Sequence, residues 1–94
     1  MELSEIRAKI DAVDDQLLDL FLQRMALAEE VGHYKAAHHL PILNQAREQA
    51  VLDRVAERAG SQGQYAQQLF STLFALARAR QEEILSDSTL CEEV

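Results

Sequence analysis

A few charged and amide side chains fall where the helical pattern of this sequence calls for apolar ones. An apolar series runs from Leu3 to Tyr34 in alternating steps of three and four residues, and Arg24 interrupts it. Burying an unpaired guanidinium costs on the order of several kcal/mol. Arg24 therefore needs an anionic partner, supplied either by the protein or by a ligand.

Two more cations are placed so that they could share a ligand with Arg24. Lys35 follows Arg24 by three helical turns, so both point the same way with about 16 Å between their backbones. Arg7 precedes Arg24 by about 25 Å along the helix axis, too far for one chain to bring them together. An antiparallel second copy could supply its own Arg7.

The later part of the chain adds a cation, a carboxylate and an amide. Arg47 lies four residues before Val51, and Glu48 four before Leu52, so both begin a second helix on or beside its inward face. Gln81 interrupts the apolar stripe of a third helix. Four cations, one carboxylate and one amide suit a small dianion that carries a hydroxyl.

Each of these residues also has a purely structural explanation. Arg24 could pair with Glu29 or Asp19 as a coiled-coil specificity device. The others could be solvated charges (Lys35, Arg7), ordinary first-turn residues (Arg47, Glu48) and an amide bonded to a neighbouring backbone (Gln81).

The composition predicts an all-α domain. The chain has 94 residues, 48% hydrophobic and 27% charged, with no Trp and few other aromatics, which favours one aliphatic helical core. Three Gly and one Pro leave few places to turn. We expect three helices in a domain covering residues 1–85, followed by a flexible polar tail over 86–94.

Capping residues and helix breakers set the expected boundaries. The long first helix should start near Ser4 and end about His38, before Pro41. A short second helix should span Gln45–Ala59, with Asn44 as N-cap and Gly60 as stop, and the third should run from a capping box at Ser61 to about Leu85.

The first helix is too long for a compact monomer. Leu3 to Tyr34 spans about 46 Å as a helix, whereas a compact chain of this size is a sphere of roughly 32 Å. Its apolar face needs partners along its whole length, so we expect an obligate two-fold dimer in which the long helices pack on each other.

Several classes of function are disfavoured. A net charge of −7 with nine scattered Lys and Arg argues against nucleic acid, and no apolar run approaches the roughly 20 residues of a membrane span. With no leader pattern, we expect a cytoplasmic protein. A lone Cys91 and the histidines His33, His38 and His39 offer neither a disulfide framework nor a fixed metal site, so we expect no metal.

Taken in order, these residues resemble chorismate mutases of the all-helical type, known from bacterial aromatic amino-acid biosynthesis and the shikimate pathway. The resemblance covers Leu3 to about Leu85. It rests on the block 6–18, Arg24, Val-Gly-His-Tyr-Lys at 31–35, Leu-Pro-Ile at 40–42, Asn44, Arg47-Glu48, Leu69-Phe70 and Gln81.

The resemblance implies an intertwined homodimer with two active sites, each completed by Arg7 of the partner subunit. The reaction would be the unimolecular [3,3] rearrangement of chorismate to prephenate, without a cofactor. Arg24 and the partner's Arg7 would clamp the carboxylates, supported by Arg47. Lys35 and Gln81 would donate to the breaking ether oxygen, and Glu48 would accept from the ring hydroxyl.

Two positions depart from the pattern of the best-known bacterial members. Asn44 stands where an Asp is common, and Ala77 where a Ser helps to hold a carboxylate. Both leave the preferred ring substituent open, so two related activities stay as alternatives, an isochorismate pyruvate-lyase and a 4-amino-4-deoxychorismate mutase. A non-catalytic regulatory or interaction module of the same fold is a third.

Overall fold

Residues 2–93 fold into three α-helices. The computed structural model describes the backbone of residues 2–93 and the side chains of residues 2–87. Helix α1 spans Leu3–Ala37, α2 spans Gln45–Ala59 and α3 spans Gly63–Glu93, and a 3₁₀ turn at Gly60–Gln62 joins the last two. The described residues contain no strand, so the predictions of an all-α class and of three helices are confirmed.

The end of α1 is a Schellman turn that also places Lys35. His39 adopts a positive φ of 56°, and the Leu40 N–H donates to the Lys35 carbonyl at 2.9 Å, which is the six-to-one bond of this motif. The chain turns back immediately afterwards. As a result the Ile42 carbonyl lies beside the Lys35 ammonium, which donates to it.

Helix α2 begins and ends where the sequence predicts. The Asn44 side chain caps it, with Oδ1 accepting from the Arg47 N–H at 3.1 Å. Gly60 follows its last residue with φ +57°, a conformation that side chains with a Cβ rarely adopt.

Both ends of α3 differ from the prediction. The helix begins at Gly63, because Ser61 lies in the 3₁₀ turn instead of at the N-cap. A Cβ at Gly63 would lie 3.1 Å from the Ala56 carbonyl oxygen, so glycine allows this close crossing of α3 over α2. Helical backbone continues past Leu85 to Glu93. The side chains of 88–94 and all of Val94 lie outside the described residues, and the flexible tail over 86–94 stays a prediction.

Helix α3 packs against both α1 and α2. Among residues 2–87, the buried apolar side chains are few and lie where the helices meet: Ala28, Val51, Phe74, Ala77 and Ile84. Gln81 is buried with them and is 6% exposed. The packed core therefore surrounds a polar group.

Within residues 2–87, the apolar series of α1 stays largely uncovered. Its members are between 39% and 60% exposed: Leu3, Ile6, Ile10, Val13, Leu17, Leu20, Leu27, Val31 and Tyr34. The molecule measures 61 × 26 × 14 Å, with a radius of gyration of 17.1 Å, against about 12 Å for a compact chain of this size. In the described part of the chain, no helix is long and apolar enough to cross a membrane.

Candidate active site

Residues from all three helices and from the turn before α2 line an open cavity of about 330 Å³, referred to below as the cleft. Seven of the eight predicted site residues line it: Arg24, Lys35, Asn44, Arg47, Glu48, Ala77 and Gln81. The rest of the lining is Arg78 together with the apolar residues Leu27, Ala28, Val31, Ile42, Val51 and Phe74. Residues that are up to 57 positions apart in sequence, Arg24 and Gln81, thus share one cavity.

Helical spacing explains how each element contributes. On α3, the lining positions Phe74, Ala77, Arg78 and Gln81 follow the i, i+3, i+4, i+7 pattern of one helix face. The lining positions of α1 begin at Arg24 and follow the same rule. The N-cap and first turns of α2 provide the third wall.

Gln81 is held from both ends. Its Nε2 donates to the Ala28 carbonyl at 3.1 Å, and its Oε1 accepts from Lys35 Nζ at 3.5 Å. Lys35 also donates to the Ile42 carbonyl. An amide nitrogen has two protons and an ammonium three, so each residue keeps one proton for a ligand.

Gly32 lets α1 and α3 approach closely enough for this network. A Cβ at Gly32 would lie 3.0 Å from Gln81 Cγ and 3.2 Å from Ile84 Cδ1. Any other residue would push against the side chain that carries the amide.

Arg24 has no carboxylate partner within residues 2–87. Its guanidinium carbon lies 5.5 Å from the centre of the Phe74 ring, a cation–π contact. Glu29, offered above as an alternative partner for Arg24, instead accepts from Arg80 Nε at 3.0 Å. That hydrogen bond is the main cause of the raised pKa of Arg80. Half-buried and unpaired, Arg24 is free to bind an anion.

Arg78 is the polar residue of the cleft that the sequence analysis missed. One of its guanidinium nitrogens, Nη1, donates to both carboxylate oxygens of Glu48. Its position three residues before Gln81 was the available signal, because that spacing puts both on one helix face. The Ile42 carbonyl was also missed, and no sequence pattern marks a backbone acceptor.

The cleft carries an excess of positive charge. Its lining holds four cations and one acid, which suits a ligand with two carboxylates. Arg7 is not part of this lining and lies near the start of α1. Among the described residues, no group of three or more His, Cys, Asp or Glu side chains is placed to hold a metal ion.

Comparison with known proteins agrees with this geometry. The family model for chorismate mutase type II matches residues 6–82. The chain is 37% identical over 62 residues to a 4-amino-4-deoxychorismate mutase from Streptomyces venezuelae, covering 66% of this chain and 60% of that protein. It is 39% identical over 54 residues to a chorismate mutase from Methanocaldococcus jannaschii, covering 57% and 54%.

A third relative is much longer than this chain. The T-protein of Haemophilus influenzae is 41% identical over 61 residues, which are 62% of this chain and 16% of that protein. In each of these relatives the match spans less than two thirds of the relative's length. The family model, by contrast, includes every described residue that lines the cleft. The family model covers most of the chain, and the three helices and the cationic cleft agree with it. The chain therefore belongs to the chorismate mutase type II family.

Proposed function

We propose that the protein is a chorismate mutase that converts chorismate to prephenate. The observation that carries the proposal is the pair of donors at Lys35 and Gln81, held beside the unpaired Arg24 in one cleft. A half-buried guanidinium at Arg24 without a carboxylate partner among residues 2–87 argues against a non-catalytic scaffold, which has no need to place an unpaired cation among its apolar positions. The family and the archaeal relative's name point the same way.

The proposed chemistry needs positioning and electrostatics only. In the rearrangement the ether C–O bond breaks as a new C–C bond forms, and no atom enters or leaves. Arg24 and Arg47 would hold the carboxylates and select the reactive conformer. The remaining protons of Lys35 and Gln81 would meet the ether oxygen as it gains negative charge, which lowers the barrier without strengthening ground-state binding.

We also propose that the active unit is a homodimer in the cytoplasm, with each cleft completed by Arg7 of the partner subunit. The support is the uncovered apolar series of α1, whose exposed residues run along the whole helix. Contiguous exposed apolar surface of this extent is rare in monomers. A second copy of α1 would cover it and would bring a further cation beside a cleft made for a dianion.

A second candidate is a 4-amino-4-deoxychorismate mutase, the name of the Streptomyces relative. A pyruvate-lyase acting on isochorismate is a third candidate on the same fold, since Asn44 changes the polar group near the ring substituent. The amino-substrate mutase differs from a chorismate mutase in the ring substituent that the cleft accepts. The lyase differs in its reaction as well, because it releases pyruvate.

The test is to incubate the purified protein with chorismate, isochorismate and 4-amino-4-deoxychorismate separately and to identify products by mass and absorbance. We expect fast formation of prephenate. Slow prephenate formation with rapid turnover of another compound would replace the proposal with that activity, and no turnover of any would favour a binding module.

A further inference from the structure

The ion pair between Arg78 and Glu48 lies in the wall of the cleft that the proposed function assigns to the ring substituent. Glu48 is the only acid among the described residues that line the cleft. The Arg78 and Glu48 side chains are 33% and 23% exposed, so the pair is largely shielded from water. The protein itself therefore neutralises this carboxylate before a ligand enters.

The neighbouring polar group on α2 is a donor. Asn44 Oδ1 already accepts from the Arg47 N–H at 3.1 Å as the helix cap, so the Asn44 amide nitrogen is left with its protons for a ligand. Asn44 and Glu48 are four residues apart and lie side by side along the start of α2. A substituent here meets an N–H donor and an acceptor whose charge is already compensated.

We propose that Arg78 is a positioning residue that makes the cleft select a hydroxyl over an ammonium group on the ring of its substrate. This rests on the proposed function. A hydroxyl both donates and accepts, so it satisfies Glu48 and Asn44 together. An aliphatic amine is an ammonium ion at neutral pH. It only donates, finds no uncompensated anion, and lies close to the like charge of Arg78.

The experiment compares kcat/KM for chorismate and 4-amino-4-deoxychorismate in the wild type and in Arg78→Gln. We expect the wild type to prefer chorismate, and the variant to shift the ratio toward the amino compound by roughly tenfold or more, because Glu48 is released. Arg78→Lys keeps the charge and should keep the preference.

Arg80→Gln is the matched control. Arg80 lies two residues further along α3, is 35% exposed and also forms ion pairs, with Glu29 and Glu83, but it does not line the cleft. Its loss should leave the substrate ratio unchanged.

A merely structural role for Arg78 would lower kcat/KM for both substrates alike, with a lower melting temperature and an unchanged ratio, and this result would overturn the proposal. A wild type that prefers the amino compound would also overturn the proposal. Should Arg78→Gln not fold, Glu48→Gln tests the same argument. It leaves Arg78 uncompensated, so the preference for hydroxyl must rise, and a fall contradicts the proposal.

The proposed function can fail separately. A wild type that converts neither compound refutes the mutase activity. In that case the role of Arg78 is tested by the ratio of the binding affinities for the two compounds, measured by calorimetry on the same variants. A wild type that converts chorismate while Arg78→Gln leaves the ratio unchanged refutes the role of Arg78 alone.

Discussion

Lys35 and Gln81 are coupled to each other and to main-chain carbonyls of two different segments. The Gln81 amide is anchored on α1 through Ala28, and the Lys35 ammonium on the turn after α1 through Ile42. Anchored donors do not need to reorganise when charge develops, which is the condition under which they lower a barrier most. Their contribution should therefore appear in the rate of the chemical step.

We predict that Lys35→Ala and Gln81→Ala each lower kcat for chorismate by about 10²–10³-fold, because each removes one donor from the breaking ether oxygen. Steady-state kinetics on both variants is the measurement. Lys9→Ala, an exposed lysine on the same helix and outside the cleft, is the control and should match the wild type. Near-wild-type kcat in both site variants would show that the two donors are assigned to the wrong atom.

At the scale of the elements, the site depends on how closely α1 and α3 cross. The contact is set by Gly32 against Gln81 and Ile84, while α2 is fixed independently by its cap at Asn44 and its stop at Gly60. The packing of α1 against α3 thus helps to position the Gln81 amide.

We predict that Gly32→Ala lowers kcat by more than tenfold while changing stability only modestly. The new methyl group overpacks the crossing, at a cost of about 1–3 kcal/mol, but removing a helical glycine returns roughly 1 kcal/mol. Kinetics and urea unfolding measure the two effects. His33→Ala, at the exposed neighbouring position, is the control. Unchanged kcat in Gly32→Ala would mean that the position of Gln81 tolerates a shift of the helices.

At the scale of the whole molecule, one chain supplies seven of the eight predicted site residues but leaves the apolar face of α1 exposed. The exposed apolar residues of α1 are mostly large and aliphatic, and leaving them in water forfeits the burial that normally stabilises a helix of this length. In the proposed dimer, α1 carries both the interface and Arg24. Formation of the dimer would therefore stabilise the fold and complete the site in one step.

We predict that Arg7→Ala and Arg24→Leu are each nearly inactive, and that mixing them after joint unfolding and refolding restores about a quarter of the wild-type activity. Random pairing makes half of the dimers mixed, and each mixed dimer has one site with both arginines intact. Activity assays with sedimentation analysis measure this. Refolding each variant alone is the control, and the absence of recovery in a dimeric mixture would place Arg7 outside the site.

Much of the fold could be predicted from the sequence because it depends on local chemistry. The three-and-four spacing of the first series, the cap at Asn44 and the stop at Gly60 act within a few residues, and α1 and α2 form where these signals place them. The predicted start of α3 at Ser61 was wrong, since the 3₁₀ turn and the contact of Gly63 with Ala56 arise only when two helices cross.

The candidate site divides along the same line. The sequence by itself determined which residues are candidates for the site, because a cation in an apolar series, such as Arg24, is visible as a break in the pattern. Tertiary structure decided which charges pair: Glu29 takes Arg80, and Glu48 takes Arg78 from thirty residues away. Pairing depends on which helix faces meet and at what distance, and no local pattern records that.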